Sequence, residues 1–234
     1  MKKLVLVAAI AATTFGAVSQ VSAAESEHTL TANIGVFSDY RFRGISQTYN
    51  DPAVQGGFDY THASGFYLGN WNSNVASDFI GDGGGAGLEM DFYGGYRATL
   101  PNTSVGYDLG VLHYYYPGVE DGAAFPDGAD TTELYVGLSH GNLSGKISYS
   151  VTDYFGVKGD NGEDTDGTLY YQAAYAMPLS DVLTLSAGVG YTDVAKLSDG
   201  NYTDFYIGAV YKFGGVDLGA KLIATSGDGV AWVT

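Results

Sequence analysis

The sequence predicts an all-β fold: an antiparallel up-and-down transmembrane β-barrel of about 12 strands, 11 of them clearly readable, with short periplasmic turns and long external loops. Three observations carry this. Apolar and polar residues alternate with period two along most of the chain, and successive strand side chains point to opposite faces. The connections between these segments are short and long in strict turn, as in outer-membrane barrels. No charged residue falls on the apolar phase of any segment.

Residues 1–23 read as a signal peptide, cleaved after 23 or 24. Lys2 and Lys3 form the charged start and Leu4 to Val18 the apolar core. Val21-Ser22-Ala23 or Ser22-Ala23-Ala24 supplies the small residues. The core is short for a spanning helix, and no later run reaches the roughly 18 apolar residues such a helix needs. Residues 24–234 are then a single barrel domain outside the cytoplasm. With no cysteine, disulfides and thiol chemistry are excluded. Loss of Lys2 and Lys3 takes the formal charge from −16 to −18, a surface that repels nucleic acid. The 20 Tyr and 11 Phe argue against disorder despite the acidity.

The first strand spans about 28–43. Its even positions, Leu30, Ala32, Ile34, Val36, Ser38, Tyr40 and Phe42, form an apolar face that ends in aromatics. Its odd positions end in Asp39, Arg41 and Arg43, and Gly44 breaks the run. Asp59 lies on the polar phase of 53–62, whereas Tyr67 and Trp71 fall on the apolar phase of 65–75. The next strand, 88–98, carries Glu89, Asp91 and Arg97 inward. Asp108 does the same in 104–116, which ends in Tyr114-Tyr115-Tyr116-Pro117. Outward Leu134-Val136-Leu138 alternates with Glu133 in 131–140, and Ile147-Tyr149-Val151 with Lys146 in 143–155. After 168–178 come 182–192, with Leu183-Leu185-Ala187-Val189-Tyr191 outward, and 202–213, with Phe205-Ile207-Ala209-Tyr211-Phe213 outward over Asp204 and Lys212. The strand 216–225 adds Asp217 and Lys221.

Eleven strands leave one edge unpaired, which hydrocarbon does not tolerate, and single-chain bacterial barrels have even strand numbers. After Ser226-Gly227-Asp228-Gly229 only Val230 to Thr234 follow, so the last strand reads as short or missing. A truncated chain, a short twelfth strand and closure with ten all stay open.

The stretch Ser38-Asp39-Tyr40-Arg41-Phe42-Arg43-Gly44-Ile45-Ser46-Gln47-Thr48 resembles the signature of the TorF-family porins, the Gcw_chp type of outer-membrane protein. Gly65-Phe66-Tyr67-Leu68-Gly69-Asn70-Trp71-Asn72-Ser73-Asn74-Val75 is similar to that family's second block. The resemblance implies a barrel with a pore in the outer membrane of a Gram-negative bacterium. It implies no substrate.

Twelve residues are therefore expected to line the interior: Asp39, Arg41, Arg43, Asp59, Glu89, Asp91, Arg97, Asp108, Glu133, Lys146, Lys212 and Lys221. Opposed charges across a narrow pore select ions. The same charges, interlocked, fill a closed lumen that only supports the barrel. Barrels of eight strands are filled and those of 16–18 are open, so twelve leaves both readings standing. Tyr40, Phe42, Tyr67, Trp71, Tyr191, Tyr211 and Phe213 suit belts at headgroup depth. Tyr114 to Tyr116 read as a belt in preference to a sugar-stacking platform.

The loop Asp160 to Gly167 offers calcium-like oxygens around Gly162 but lacks the EF-hand spacing, so it reads as a solvated acidic rim. The histidines, His28, His62, His113 and His140, are scattered; no G-x-S-x-G element accompanies them, and Ser144 with His140 is an unremarkable pair. The sequence predicts no enzyme, no cofactor and no metal. It predicts a porin-like channel for passive diffusion of small hydrophilic or ionic solutes, or alternatively a plugged structural or surface-interaction barrel without transport. The expected partners are outer-membrane lipid, lipopolysaccharide and the small solutes themselves. A homo-oligomer is compatible with the sequence, which locates no interface for one.

Overall fold

Alternating segments of 8 to 12 residues joined by tight turns satisfy their backbone by pairing with their neighbours, and in this computed structural model they do so in chain order. The structure describes residues 27–77, 87–119 and 128–226. The strands are β1 (His28–Phe37), β2 (Arg41–Phe42), β3 (Ile45–Ser46), β4 (Ala53–His62), β5 (Phe66–Asn74), β6 (Leu88–Thr99) and β7 (Val105–Tyr115). They continue with β8 (Thr131–His140), β9 (Leu143–Ser150), β10 (Leu169–Pro178), β11 (Leu183–Asp193), β12 (Tyr202–Phe213) and β13 (Val216–Ser226).

Eleven of these form one antiparallel up-and-down sheet, ordered β1-β4-β5-β6-β7-β8-β9-β10-β11-β12-β13. The other two, β2 and β3, make a small hairpin inside the first long connection. No helix among the described residues is long and apolar enough to cross a membrane. The expected signal peptide and the tail after Ser226 lie outside the described residues.

The sheet has one apolar face and one polar face. Ile34, Val36 and Leu222 stand 71%, 75% and 73% exposed on the first. Glu89, Glu133, Ser148, Ser150 and Thr192 are at most 1% exposed on the second. The sheet is rolled around that polar face, because the hairpin that leaves β1 touches β6, β8, β12 and β13.

Tyrosines help to set the curvature. Tyr93 lies over Gly69, Tyr67 over Gly95, Tyr135 over Gly110, Tyr206 over Gly188 and Tyr170 over Gly190. Each ring occupies the place of the Cβ that the glycine lacks, so an inward tyrosine on one strand keys into an inward glycine on another.

Two strands end earlier than the alternation suggests. β1 stops at Phe37 instead of running to 43, and Arg43 (φ 46) and Gly44 (φ 83) form the two-residue turn of the β2–β3 hairpin. Positive φ at both central residues is what a type I′ turn demands. Asp39, Arg41 and Arg43 therefore ride on an inward-folded hairpin and not on the wall. β9 stops at Ser150 instead of 155, and Phe155 (φ 51) turns the chain back over the interior.

The belt assignment is corrected in part. Tyr191, Tyr211 and Phe213 are outward, 40%, 45% and 65% exposed. Tyr40 and Tyr67 are buried inside at 4% each, Phe42 packs on Tyr114, and Trp71 packs on Tyr40. Of Tyr114, Tyr115 and Tyr116, only Tyr115 faces out.

Candidate functional site

The inward hairpin and the wall beneath it make the most elaborate polar arrangement in the described residues. The hairpin begins where alternation meets local hydrogen bonding. Asp39 accepts from Thr48 Oγ1 at 3.1 Å and pairs with Arg41 Nε at 2.6 Å. Gln47 N–H donates to Tyr40 O at 2.7 Å, and Arg41 reaches Gly44 O and Asn50 Oδ1 at 3.0 and 2.8 Å. These bonds, with the β2–β3 ladder and the Ala76 N–H that donates to Gln47 O at 2.8 Å, hold the fold-back. Gly44 has no room for a Cβ, which would collide with Thr225 of β13 and Asp204 of β12.

At the tip, Arg43 Nη2 donates to both carboxylate oxygens of Glu133 of β8, at 2.8 and 2.7 Å, and Nη1 donates to Tyr154 Oη at 3.2 Å. Its guanidinium also lies over the rings of Tyr170, Phe42 and Tyr154, at 4.1, 4.7 and 5.7 Å. Paired with a carboxylate and stacked on rings, a buried guanidinium is tolerated. Phe42 packs edge-on against Tyr114 and Phe155, closing an aromatic collar around the pair.

On the other flank, Tyr40 and Tyr116 donate to the two oxygens of Glu89, at 2.6 and 2.7 Å. Asp91 follows two residues later on the same face. It is buried, and its Oδ1 has no hydrogen-bond partner among the described residues.

The twelve sequence-predicted lining residues divide between the wall and the hairpin segment 38–48. Nine sit on the inward phase of a long strand, and Asp39, Arg41 and Arg43 sit on the hairpin. Asp59 accepts from Tyr93 Oη at 2.6 Å. Asp108 accepts from Tyr67 Oη at 2.6 Å and pairs with Arg97 at 3.4 Å, and Arg97 stacks on the Tyr67 ring at 4.0 Å. Tyr67 also bonds Tyr135 Oη. Lys146 and Lys221 lie over Tyr135 and Tyr206, at 5.5 and 4.4 Å. Lys212 is exposed near the short-turn end, opposite Asp217.

Seven aromatics around the hairpin, Tyr40, Phe42, Tyr114, Tyr116, Tyr154, Phe155 and Tyr170, were not among the expected lining residues. For two of them the signal was present: counting by twos from inward Asp108 arrives at Tyr114 and Tyr116.

Asp153 accepts from Lys158 Nζ at 2.7 Å, Thr165 N–H at 2.8 Å and Thr165 Oγ1 at 2.8 Å. Burial works against its charge, but these donors hold the carboxyl below its ordinary range. The carboxylates of 160–167 do not converge on one point. Asp160 takes Ser198 N–H, Glu163 takes Asn161, Asp164 takes Lys158 and Asp166 takes Lys196. The Lys196 ammonium is held above its usual range chiefly by Asp166. Ser144 and His140 fall on opposite faces of the sheet and form no dyad. His28 and His62, scattered in sequence, are directly opposed across β1 and β4.

A rolled up-and-down antiparallel sheet, apolar outside and charged inside, with its first long connection folded into the interior, defines an all-β architecture. The chain belongs to the Gcw_chp family, described as bacterial protein of unknown function, whose family model matches residues 21–234. No curated protein matches it. Among solved structures it is similar to the crystal structure of a double variant of OccD1 (OprD), with a TM-score of 0.37 and 13% sequence identity over 89% of this chain. The chain spans 63% of that structure's chain.

Proposed function

We propose that the protein is an outer-membrane channel for passive diffusion of small hydrophilic or ionic solutes, narrowed by the inward hairpin 38–48. One observation carries the proposal: the strand charges stand on the inner face, save Asp193 at the long-loop end of β11, while large apolar side chains such as Ile34, Val36 and Leu222 cover the outer one. Water disfavours so continuous an apolar surface, whereas lipid requires it. An outward Arg or Lys at mid-membrane costs about 2–4 kcal/mol. Lipid and lipopolysaccharide are then the surroundings of the outer face. The proposal requires that the edges of β1 and β13 be paired, because open edges are not viable in hydrocarbon.

Burial of the hairpin favours a second reading, a plugged barrel with a structural or surface-interaction role. Tyr40, Arg43, Ile45, Gln47 and Thr48 are all 6% exposed or less, so the hairpin fills the space that it enters.

Single-channel recording in a planar bilayer separates the two. Discrete current steps from folded protein support the channel. Silence from protein whose folding is first shown by its resistance to unfolding in cold detergent supports the plug.

A further inference from the structure

We propose that Glu27, His28 and His62 form a divalent transition-metal site, of which Zn²⁺ is the natural occupant, at the short-turn end of the sheet. The site goes beyond the channel reading and does not depend on it. Each of the three residues offers one ligand atom, and these atoms all lie within 4.8 Å of one another. Two imidazoles and one carboxylate are a first-row metal set, and three protein ligands leave the fourth tetrahedral position for water. Tetrahedral zinc at about 2.0–2.1 Å from each ligand sets its donors about 3.3 Å apart. Rotation of the two exposed side chains, Glu27 and His28, covers the difference.

The backbone beneath is fixed by pairing. His28 and His62 are direct partners in the β1–β4 ladder, with ring centroids 5.1 Å apart. The ladder continues past them, since Ala63 N–H donates to Glu27 O at 2.8 Å. Cross-strand partners project from the same face at close spacing, so the two rings converge without any change of fold.

Each imidazole also has a supporting partner, as ligating histidines do. His28 Nδ1 lies 2.7 Å from Tyr60 Oη and His62 Nδ1 lies 2.6 Å from Ser64 Oγ. A proton on Nδ1 donated to these hydroxyls leaves Nε2 as the coordinating nitrogen. The Ser64 amide also lies 3.2 Å from His62 Nδ1, and this longer contact is given up in the bound tautomer.

The test uses the tag-free full chain, folded in detergent, titrated with Zn²⁺ against a chromophoric chelator. One saturable site is expected, weakening as pH falls because the imidazoles must be neutral to bind. His62→Gln and His28→Gln are each expected to lower the affinity at least about tenfold. His113→Gln and His140→Gln are expected to leave it unchanged. Cold-detergent resistance shows that each variant folds. With Cu²⁺ in place of Zn²⁺, pulsed electron paramagnetic resonance is expected to report two coordinated imidazoles, falling to one in either single variant. Absence of a saturable site in folded protein overturns the proposal, as does Zn²⁺ affinity unchanged in the His28→Gln/His62→Gln double variant.

Discussion

At the residue scale the structure turns on charges that have left water. Arg43 and Glu133 are 6% and 1% exposed, and each is the other's main compensation. Arg43→Met leaves a carboxylate buried beside tyrosines, so it is expected to lower stability by about 3–5 kcal/mol, read from the urea midpoint in detergent. Pairing it with Glu133→Leu is expected to restore most of that loss, because replacing both partners removes the orphaned charge. A double variant no more stable than the single one would show that the hairpin is held by its other contacts. Asp153 gives a pH prediction of the opposite kind. Its folded pKa is depressed, so its contribution is present above the unfolded carboxylate value of about 3.9 and is lost as pH falls through the folded value. Amide exchange at Thr165, whose N–H donates to Asp153, is expected to accelerate below about pH 4, and Asp153→Asn is expected to abolish that acid step. An unchanged acid step in the variant would assign it to another carboxylate.

At the element scale the tyrosine–glycine keys make a prediction that strand propensity alone would reverse. Valine suits strands better than glycine. Gly110→Val and Gly188→Val nonetheless drive a side chain into the rings of Tyr135 and Tyr206. Each is expected to lose about 1–3 kcal/mol. Gly145→Val is expected to be neutral or stabilising, since the nearest atom to a Cβ there is Gln172 O at an ordinary 3.5 Å. Equal effects at all three positions in urea melts would remove the keys from the account of curvature. The same contrast explains what was legible. Strands bearing a charge, such as β6 with Glu89 and Asp91 or β8 with Glu133, had their phase set by that charge. β5 has none, and its tyrosine and tryptophan looked lipid-facing by apolarity. Tyr67 faces inward because its hydroxyl finds Asp108 and its ring fills the space over Gly95, contacts made across strands and invisible to a local count. The hairpin was hidden for a related reason: the alternation runs unbroken through Arg43, while the ladder partners that would have made it a strand end at Phe37 and Ala53.

At the scale of the whole molecule, the interior field follows from which charges cancel. The three arginines are spent locally: Arg41 on Asp39 at 2.6 Å, Arg43 on Glu133 at 2.7 Å and Arg97 on Asp108 at 3.4 Å. A basic ladder that favours anions is thus neutralised carboxylate by carboxylate. Glu89, Asp59 and Asp204 accept from tyrosine hydroxyls, and Asp91 Oδ1 has no donor among the described residues. Against them stand Lys146 and Lys221 over tyrosine rings, with Lys212 facing Asp217 across the ladder. The formal balance of residues is negative, and the acidic long loops add to it in the same sense. On the channel reading, the reversal potential under a salt gradient is therefore expected to be cation-positive and to weaken as the salt is raised and the charges are screened. Glu89→Gln with Asp91→Asn is expected to move it toward zero without loss of folding, because neither carboxylate is half of an ion pair. Arg41→Gln with Arg43→Gln frees Asp39 and Glu133 and is expected to move it further toward cations. A current whose selectivity ignores both double variants would have to pass elsewhere than beneath the hairpin, and that result would separate the route of conduction from the cluster that the fold places at its centre.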